Sequence, residues 1–108
     1  YEGYPMQDVV LPVRLMGMLG AKIVMLTNAA GGVNFDFHPG DLMLITDQIT
    51  TAVPSPLIGP NIEELGVRFP DMSEVYNKEL QDVIRKAGAN TGVALKEGVY
   101  MAVYRSKL

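Results

Sequence analysis

The sequence predicts an α/β fold in which a central sheet of buried strands is flanked by helices. Two observations predict it. Apolar residues recur at three- and four-residue spacing between Pro5 and Leu19, which is the period of a helix face, and Val75, Leu80, Val83, Ile84 and Ala87 supply a second such face. Between these segments stand short, nearly continuous apolar runs, Lys22 to Thr27 and Leu42 to Ile49, of the kind carried by strands buried on both faces in parallel sheets.

The elements follow in order. Met6, Val9, Val10, Val13, Met16 and Leu19 form the first helix face, and Gly20 is placed to end it. Pro12 sits inside the pattern, where it removes one amide and crowds the carbonyl of Asp8, so the spacing predicts either a kink or a regular helix that starts near Pro12. The first strand run closes on Asn28-Ala-Ala-Gly-Gly32, and Gly40-Asp41 introduces the second. Pro54, Pro56, Pro60 and Pro70, with Gly59 and Gly66, exclude regular structure between Thr50 and Pro70, and a loop of this length is usually functional or covered by a partner. Asp71-Met-Ser-Glu74 resembles a capping box, and Val75, Leu80, Val83, Ile84 and Ala87 supply a helix face reaching Lys86. Val99 to Val103, after the break at Gly98, is the third strand expected.

Composition narrows the function classes. The chain has 108 residues, which fits one domain at most, and 48% of them are hydrophobic, too many for a disordered tail. Nine basic against twelve acidic side chains give a net charge of −3, which offers no counterion-release term for nucleic-acid binding. The absence of Cys removes disulfides, thiolate metal sites and cysteine nucleophiles, and suits a reducing cytoplasm. No apolar run approaches the roughly 20 residues of a membrane span. The opening Tyr-Glu-Gly-Tyr-Pro has no starting Met and no signal-peptide pattern, and reads as an entry in mid-domain.

A buried strand ending in Asn28-Ala-Ala-Gly-Gly32 places small residues where backbone amides can approach an anion or a flat base closely; a simple tight turn explains the same pattern. Six blocks shift the weight toward the first. Tyr1-Glu-Gly-Tyr-Pro5, Thr27-Asn-Ala-Ala-Gly-Gly32, Pro39-Gly-Asp41, Gly59-Pro-Asn61, Arg68-Phe-Pro-Asp-Met-Ser73 and Lys96-Glu-Gly-Val-Tyr100 occur in the order and spacing of the trimeric purine nucleoside phosphorylases, which the chain resembles over nearly its whole length. The resemblance implies a mixed, partly barrel-like sheet, of which residues 1–108 are a partial domain, roughly the middle third. It also implies phosphorolysis of 6-oxopurine nucleosides such as inosine and guanosine to base and ribose 1-phosphate, by a cytoplasmic homotrimer using no cofactor and no metal, with phosphate as co-substrate.

Carried over by residue, Tyr1 is similar to the tyrosine that packs near the ribose, and Glu2 to the adjacent acid of the pocket. Ala29 resembles the residue whose backbone amide holds phosphate, while Asn28, Ala30 and Gly31 resemble the rest of the wall beside phosphate, sugar and base. Phe69 is similar to the aromatic that each subunit inserts into its neighbour's nucleoside pocket. No residue here is assigned the catalytic step. In the family a serine-glycine phosphate loop, a His and an Arg lie upstream of Tyr1, and a purine-recognising Glu and Asn and a sugar-contacting His lie beyond Leu108.

The chain departs from the family at Gln48, where His is usual, and over residues 102–108, where Ala-Val-Tyr-Arg-Ser-Lys-Leu replaces a Gly-Pro segment. Two alternatives remain: the methylthioadenosine phosphorylase type, which prefers a 6-aminopurine and against which Ala29-Ala30-Gly31 speaks, and a non-catalytic remnant that only associates with full-length subunits. Outside the blocks, lone His38 reads as a turn residue, since one His satisfies no metal-ligand count. Glu63-Glu64 and Asp71/Glu74 read as loop and cap carboxylates, and Met6, Met16, Met25 and Met43 as core filling. Arg14 and Arg68 are the cations weighed as phosphate ligands, with Arg14 expected to reach solvent over its helix.

Overall fold

The computed structural model describes residues 2–103. Its elements are α1 (Met6–Met18), β1 (Met43–Thr50), a short 3-10 turn (Glu63–Leu65), α2 (Lys78–Thr91) and β2 (Lys96–Ala102). They fall into two units, one made of residues 2–29 with Pro54–Pro70 and the other of Ala30–Val53 with residues 71–103.

In the first unit α1 runs through Pro12 without interruption, and the regular helix begins six residues before that proline, at Met6, directly after the extended Pro5. The stop falls where the sequence places it. Gly20 takes φ +94°, a left-handed conformation that side chains other than glycine rarely adopt. Its amide donates to the Gly17 carbonyl and the Ala21 amide to that of Met16, both at 3.0 Å, which closes the last turn. The apolar stripe of α1 is not covered: Val9, Val13 and Met16 are all exposed.

The second unit is a β–α–β arrangement. β1 and β2 pair in parallel from Met43↔Lys96 to Thr50↔Ala102, with a register shift between Ile45 and Asp47 that leaves Thr46 without a partner in the ladder. The Thr46 hydroxyl donates instead to the Gly98 carbonyl at 3.2 Å, so the irregularity is tied back to the neighbouring strand. Leu44, on β1, is the buried hydrophobic residue of the described region. α2 packs on β1.

The start of α2 is set by Asn77, whose side-chain oxygen accepts from the Leu80 amide at 3.0 Å. The expected capping box is not formed. Asp71 turns on itself, accepting from both the amide and the hydroxyl of Ser73, and those bonds hold its carboxyl below the usual aspartate range. Glu74 accepts from the first helical amide, Lys78. α2 also continues past Lys86 to Thr91, because Gly88 faces inward against Leu95 and Gly92, at φ +72°, is the residue that ends it.

The buried stripe of α2 is rotated from the one the apolar spacing predicts. Gln81 and Gly88 are buried and Ile84 and Arg85 half-buried, whereas Val83 is exposed. Polar pairing explains the rotation: the Gln81 amide donates to the Tyr76 carbonyl at 3.0 Å and its oxygen accepts from Arg85 at 3.2 Å. Arg85 in turn grips Glu97 on β2 with two bonds of 3.0 and 2.8 Å and reaches Asp82 at 2.7 Å. The fork holds the Glu97 carboxyl below its ordinary value of 4.5. This pair's contribution is therefore complete above that value and is lost as pH falls through the lowered native one.

Two strand expectations need correction. Residues 22–27 form no strand, and Ile23, Val24, Met25 and Leu26 are all exposed. A strand buried on both faces requires a hydrogen-bonded neighbour, and the two strands of the described residues pair only with each other. Met16 and Met25 are accordingly exposed rather than core filling. β2 starts at Lys96 rather than Val99 and passes through Gly98, where a Cβ would stand 3.0 Å from the Met43 sulfur. Close strand approach, not a break, accounts for that glycine.

Candidate functional site

The predicted phosphate and nucleoside wall lies on irregular backbone. Asn28 and Ala29 end the first stretch of one unit, and Ala30 and Gly31 open the other. All four are exposed. The Asn28 amide group donates to the Ala29 carbonyl at 3.3 Å, and Ala29 itself belongs to neither a helix nor a strand. A Cβ at Gly31 would meet nothing within 4 Å, whereas one at Gly32 would sit 3.4 Å from Phe37 Cβ. Packing thus bears on the second glycine and not on the first. Glu2 is exposed, and Tyr1 lies outside the described residues.

Phe69 stands at the end of the proline-rich loop of the first unit, 87% exposed. The residue before it has the most connected side chain of that loop. Arg68 Nη1 donates to the carbonyls of Leu57 and Gly59, at 2.7 and 2.6 Å, and its guanidinium carbon lies 5.9 Å from the Phe69 ring centre. Asn61 adds a longer bond to the Gly66 carbonyl, 3.4 Å. Beneath this loop is a shallow cavity of about 230 Å³ whose lining includes Gln7, Arg14, Leu57, Asn61 and Arg68. None of the predicted site residues lines it, so it is not the wall that the small residues would build.

The structure thus leaves Glu2, Asn28 to Gly31 and Phe69 exposed, and it adds two arrangements that reasoning from the sequence missed. The first is the Arg68 clamp. The sequence held no direct signal for it beyond four prolines that lower the number of amide donors in the loop. The second is at Gln48, whose side-chain oxygen accepts from the Tyr76 hydroxyl at 2.7 Å while its NH2 donates to Thr50 at 2.9 Å. An amide serves both bonds at once, which is how glutamine fills this position. Partial burial, with Asp47 and Tyr100 nearby, raises the Tyr76 pKa and keeps the hydroxyl a donor.

His38 behaves as a turn residue: its amide donates to Asp41 at 2.9 Å, and its carbonyl accepts from the Asp41 amide at 3.0 Å. Among the described residues no group of three or more His, Cys, Asp or Glu side chains is placed to hold a metal ion. No helix among them is long and apolar enough to cross a membrane.

Comparison with known proteins supplies the frame for these residues. The sequence profile of the phosphorylase superfamily matches residues 2–105. The chain is 52% identical over 102 residues to purine nucleoside phosphorylase 1 of Geobacillus stearothermophilus, covering 94% of this chain and 37% of that protein. It is 50% identical over 103 residues to purine nucleoside phosphorylase 1 of Bacillus subtilis, covering 95% and 38%. Against the purine nucleoside phosphorylase of Bos taurus it is 42% identical over 106 residues, covering 94% and 37%. The chain therefore spans little more than a third of the length of these relatives. With nearly all of its residues inside the matched region, the chain belongs to the phosphorylase superfamily.

Proposed function

We propose that this segment serves an enzyme that splits purine nucleosides with phosphate, giving the free base and ribose 1-phosphate, with 6-oxopurine nucleosides such as inosine and guanosine as substrates. The observation that carries the reading is identity of 40–52% to proteins named purine nucleoside phosphorylase across more than nine-tenths of the chain. Ala29-Ala30-Gly31 favours this over the methylthioadenosine phosphorylase type. The reading includes a cytoplasmic homotrimer built on a mixed, partly barrel-like sheet and using neither cofactor nor metal.

In that reaction the bond from C1′ of the sugar to the purine nitrogen lengthens first. The base leaves with the electron pair and takes up a proton, positive charge grows on the sugar, and a phosphate oxygen closes on C1′. The protein's task is to hold phosphate below the sugar and to neutralise the charge on the departing purine, so positioning and electrostatics carry most of the rate. In this reading the Ala29 amide holds a phosphate oxygen. Asn28, Ala30 and Gly31 form the wall along phosphate, sugar and base, where small side chains let the backbone come close. Tyr1 and Glu2 border the ribose, and Phe69 closes the nucleoside pocket of the adjacent subunit.

The test uses a complete enzyme in which this segment replaces the matching 102 residues of the Geobacillus stearothermophilus relative. Phosphate-dependent release of hypoxanthine from inosine is expected, and its absence from a folded, assembled enzyme would overturn the reading. In the same enzyme Phe69→Ala is expected to raise the nucleoside KM by about tenfold, as removal of a ring that stacks on a base does, with little change in thermal stability. Mixed with subunits disabled at Asn28, it should regain partial activity in trans. Mixed trimers without that recovery would refute the cross-subunit role.

A further inference from the structure

The loop between Pro54 and Pro70 is organised by one side chain. Prolines at 54, 56, 60 and 70 bring no amide donors, and the loop's own amides answer the carbonyls of Ser55, Ile62 and Glu63 but not those of Leu57 and Gly59. Arg68 answers both, bridging eleven positions to Leu57 and nine to Gly59. Bonds from an ionised guanidinium are shorter and stronger than neutral ones, and these two are at the short end. They draw the Leu57–Gly59 turn onto the residue that immediately precedes Phe69. The same guanidinium lies within cation–π range of the Phe69 ring, 5.9 Å from its centre.

Phe69 is otherwise a highly exposed aromatic on a loop, and an exposed aromatic samples several rotamers and loop positions. Ordering such a group at the moment of binding weakens affinity, and ordering it beforehand recovers the loss. Arg68 is the group that does the ordering, through the backbone on one side and through the ring face on the other.

We propose that Arg68 is a positioning residue that presents Phe69 to the nucleoside of a neighbouring subunit. This rests on the reading of Phe69 given above. Arg68 acts through Phe69 and not on phosphate, because its Nη1 is already committed to two carbonyls and the cavity it borders holds none of the residues of the phosphate wall. Lysine can replace only part of this role: its ammonium can reach a carbonyl, but it lacks the planar, delocalised face that stacks on a ring.

The experiment takes the complete enzyme described above and compares Arg68→Ala, Arg68→Lys, Phe69→Ala and the double variant Arg68→Ala/Phe69→Ala. Arg68→Ala is expected to raise the nucleoside KM by about 3- to 10-fold while kcat and the phosphate KM stay within about twofold. Arg68→Lys, which keeps charge and stem, should recover part of that rise. The double variant should bind nucleoside no worse than Phe69→Ala alone, since one residue working through another is non-additive. If the Arg68→Ala defect adds in full to that of Phe69→Ala, or falls on kcat and the phosphate KM, Arg68 acts elsewhere and the proposal is wrong while the Phe69 reading stands. If Phe69→Ala leaves the nucleoside KM unchanged, the Phe69 reading itself fails and takes the proposal with it.

Discussion

Purified alone, the 108-residue chain is expected to release no hypoxanthine from inosine above a catalyst-free control containing phosphate. Rate enhancement in this chemistry depends on donors held in place before the charge develops, and removing one such contact costs about 100- to 1000-fold. Of the phosphate anchors that the family resemblance supplies, this chain holds only the amide at Ala29, and that amide sits on irregular, exposed backbone. The side chain beside it, Asn28, bonds to the Ala29 carbonyl instead of facing a ligand. By the same resemblance the purine-recognising Glu and Asn are not among these 108 residues. Adding a full-length enzyme whose own pocket is intact should produce turnover from that enzyme alone, with no contribution proportional to the added chain. Phosphate-dependent base release by the purified chain would sink this expectation.

The second large effect concerns folding. The isolated chain should associate with itself and should lack a single sharp unfolding transition. Among the described residues Leu44 is the hydrophobic side chain that is buried, and burial of one leucine contributes only about 1.5–3 kcal/mol. Against it stand exposed apolar groups on α1, on residues 23–26 and at Val33 and Phe35. Unpaired strand edges on both sides of the β1–β2 pair add templates for association. Such a chain falls short of the roughly 5–15 kcal/mol of ordinary domains. Sedimentation at low concentration, with thermal and urea unfolding, decides the matter. A monodisperse monomer with one cooperative transition would show a self-sufficient domain and contradict this account.

Legibility in the sequence follows the range of the interactions involved. Helix α1 and its glycine stop were readable because both are settled within a few residues, by apolar spacing and by the hydrogen bonds that Gly20 makes possible. β1 was readable from its apolar run. Residues 22–27 carry an equally apolar run and yet form no strand, because pairing depends on a partner that no local pattern encodes. The rotated face of α2 was hidden for a related reason: the spacing of Val75, Leu80 and Val83 says nothing of Gln81 and Arg85 satisfying each other beside Glu97. At the candidate site, short blocks nominated Asn28 to Gly31 and Phe69, which the structure leaves exposed. The Arg68 clamp escaped notice because an arginine's partners were backbone carbonyls, which carry no residue identity.

The parallel pairing of β1 with β2 also sets the order in which this region can form on the ribosome. Thr46 and Gly98, joined across the sheet, are 52 positions apart in the chain. Closing a loop of that length costs roughly 3.5 kcal/mol plus a constant before any ladder bond repays it, so β1 cannot find its neighbour early. At roughly 5–20 residues per second, synthesis leaves β1 without β2 for about 3–10 seconds. During that interval β1 lacks the partner it has among the described residues, and the helix that packs on it, α2, is itself among the residues still to be made. Whatever shields β1 in that interval, β2 is not among the candidates until Ala102 has been made.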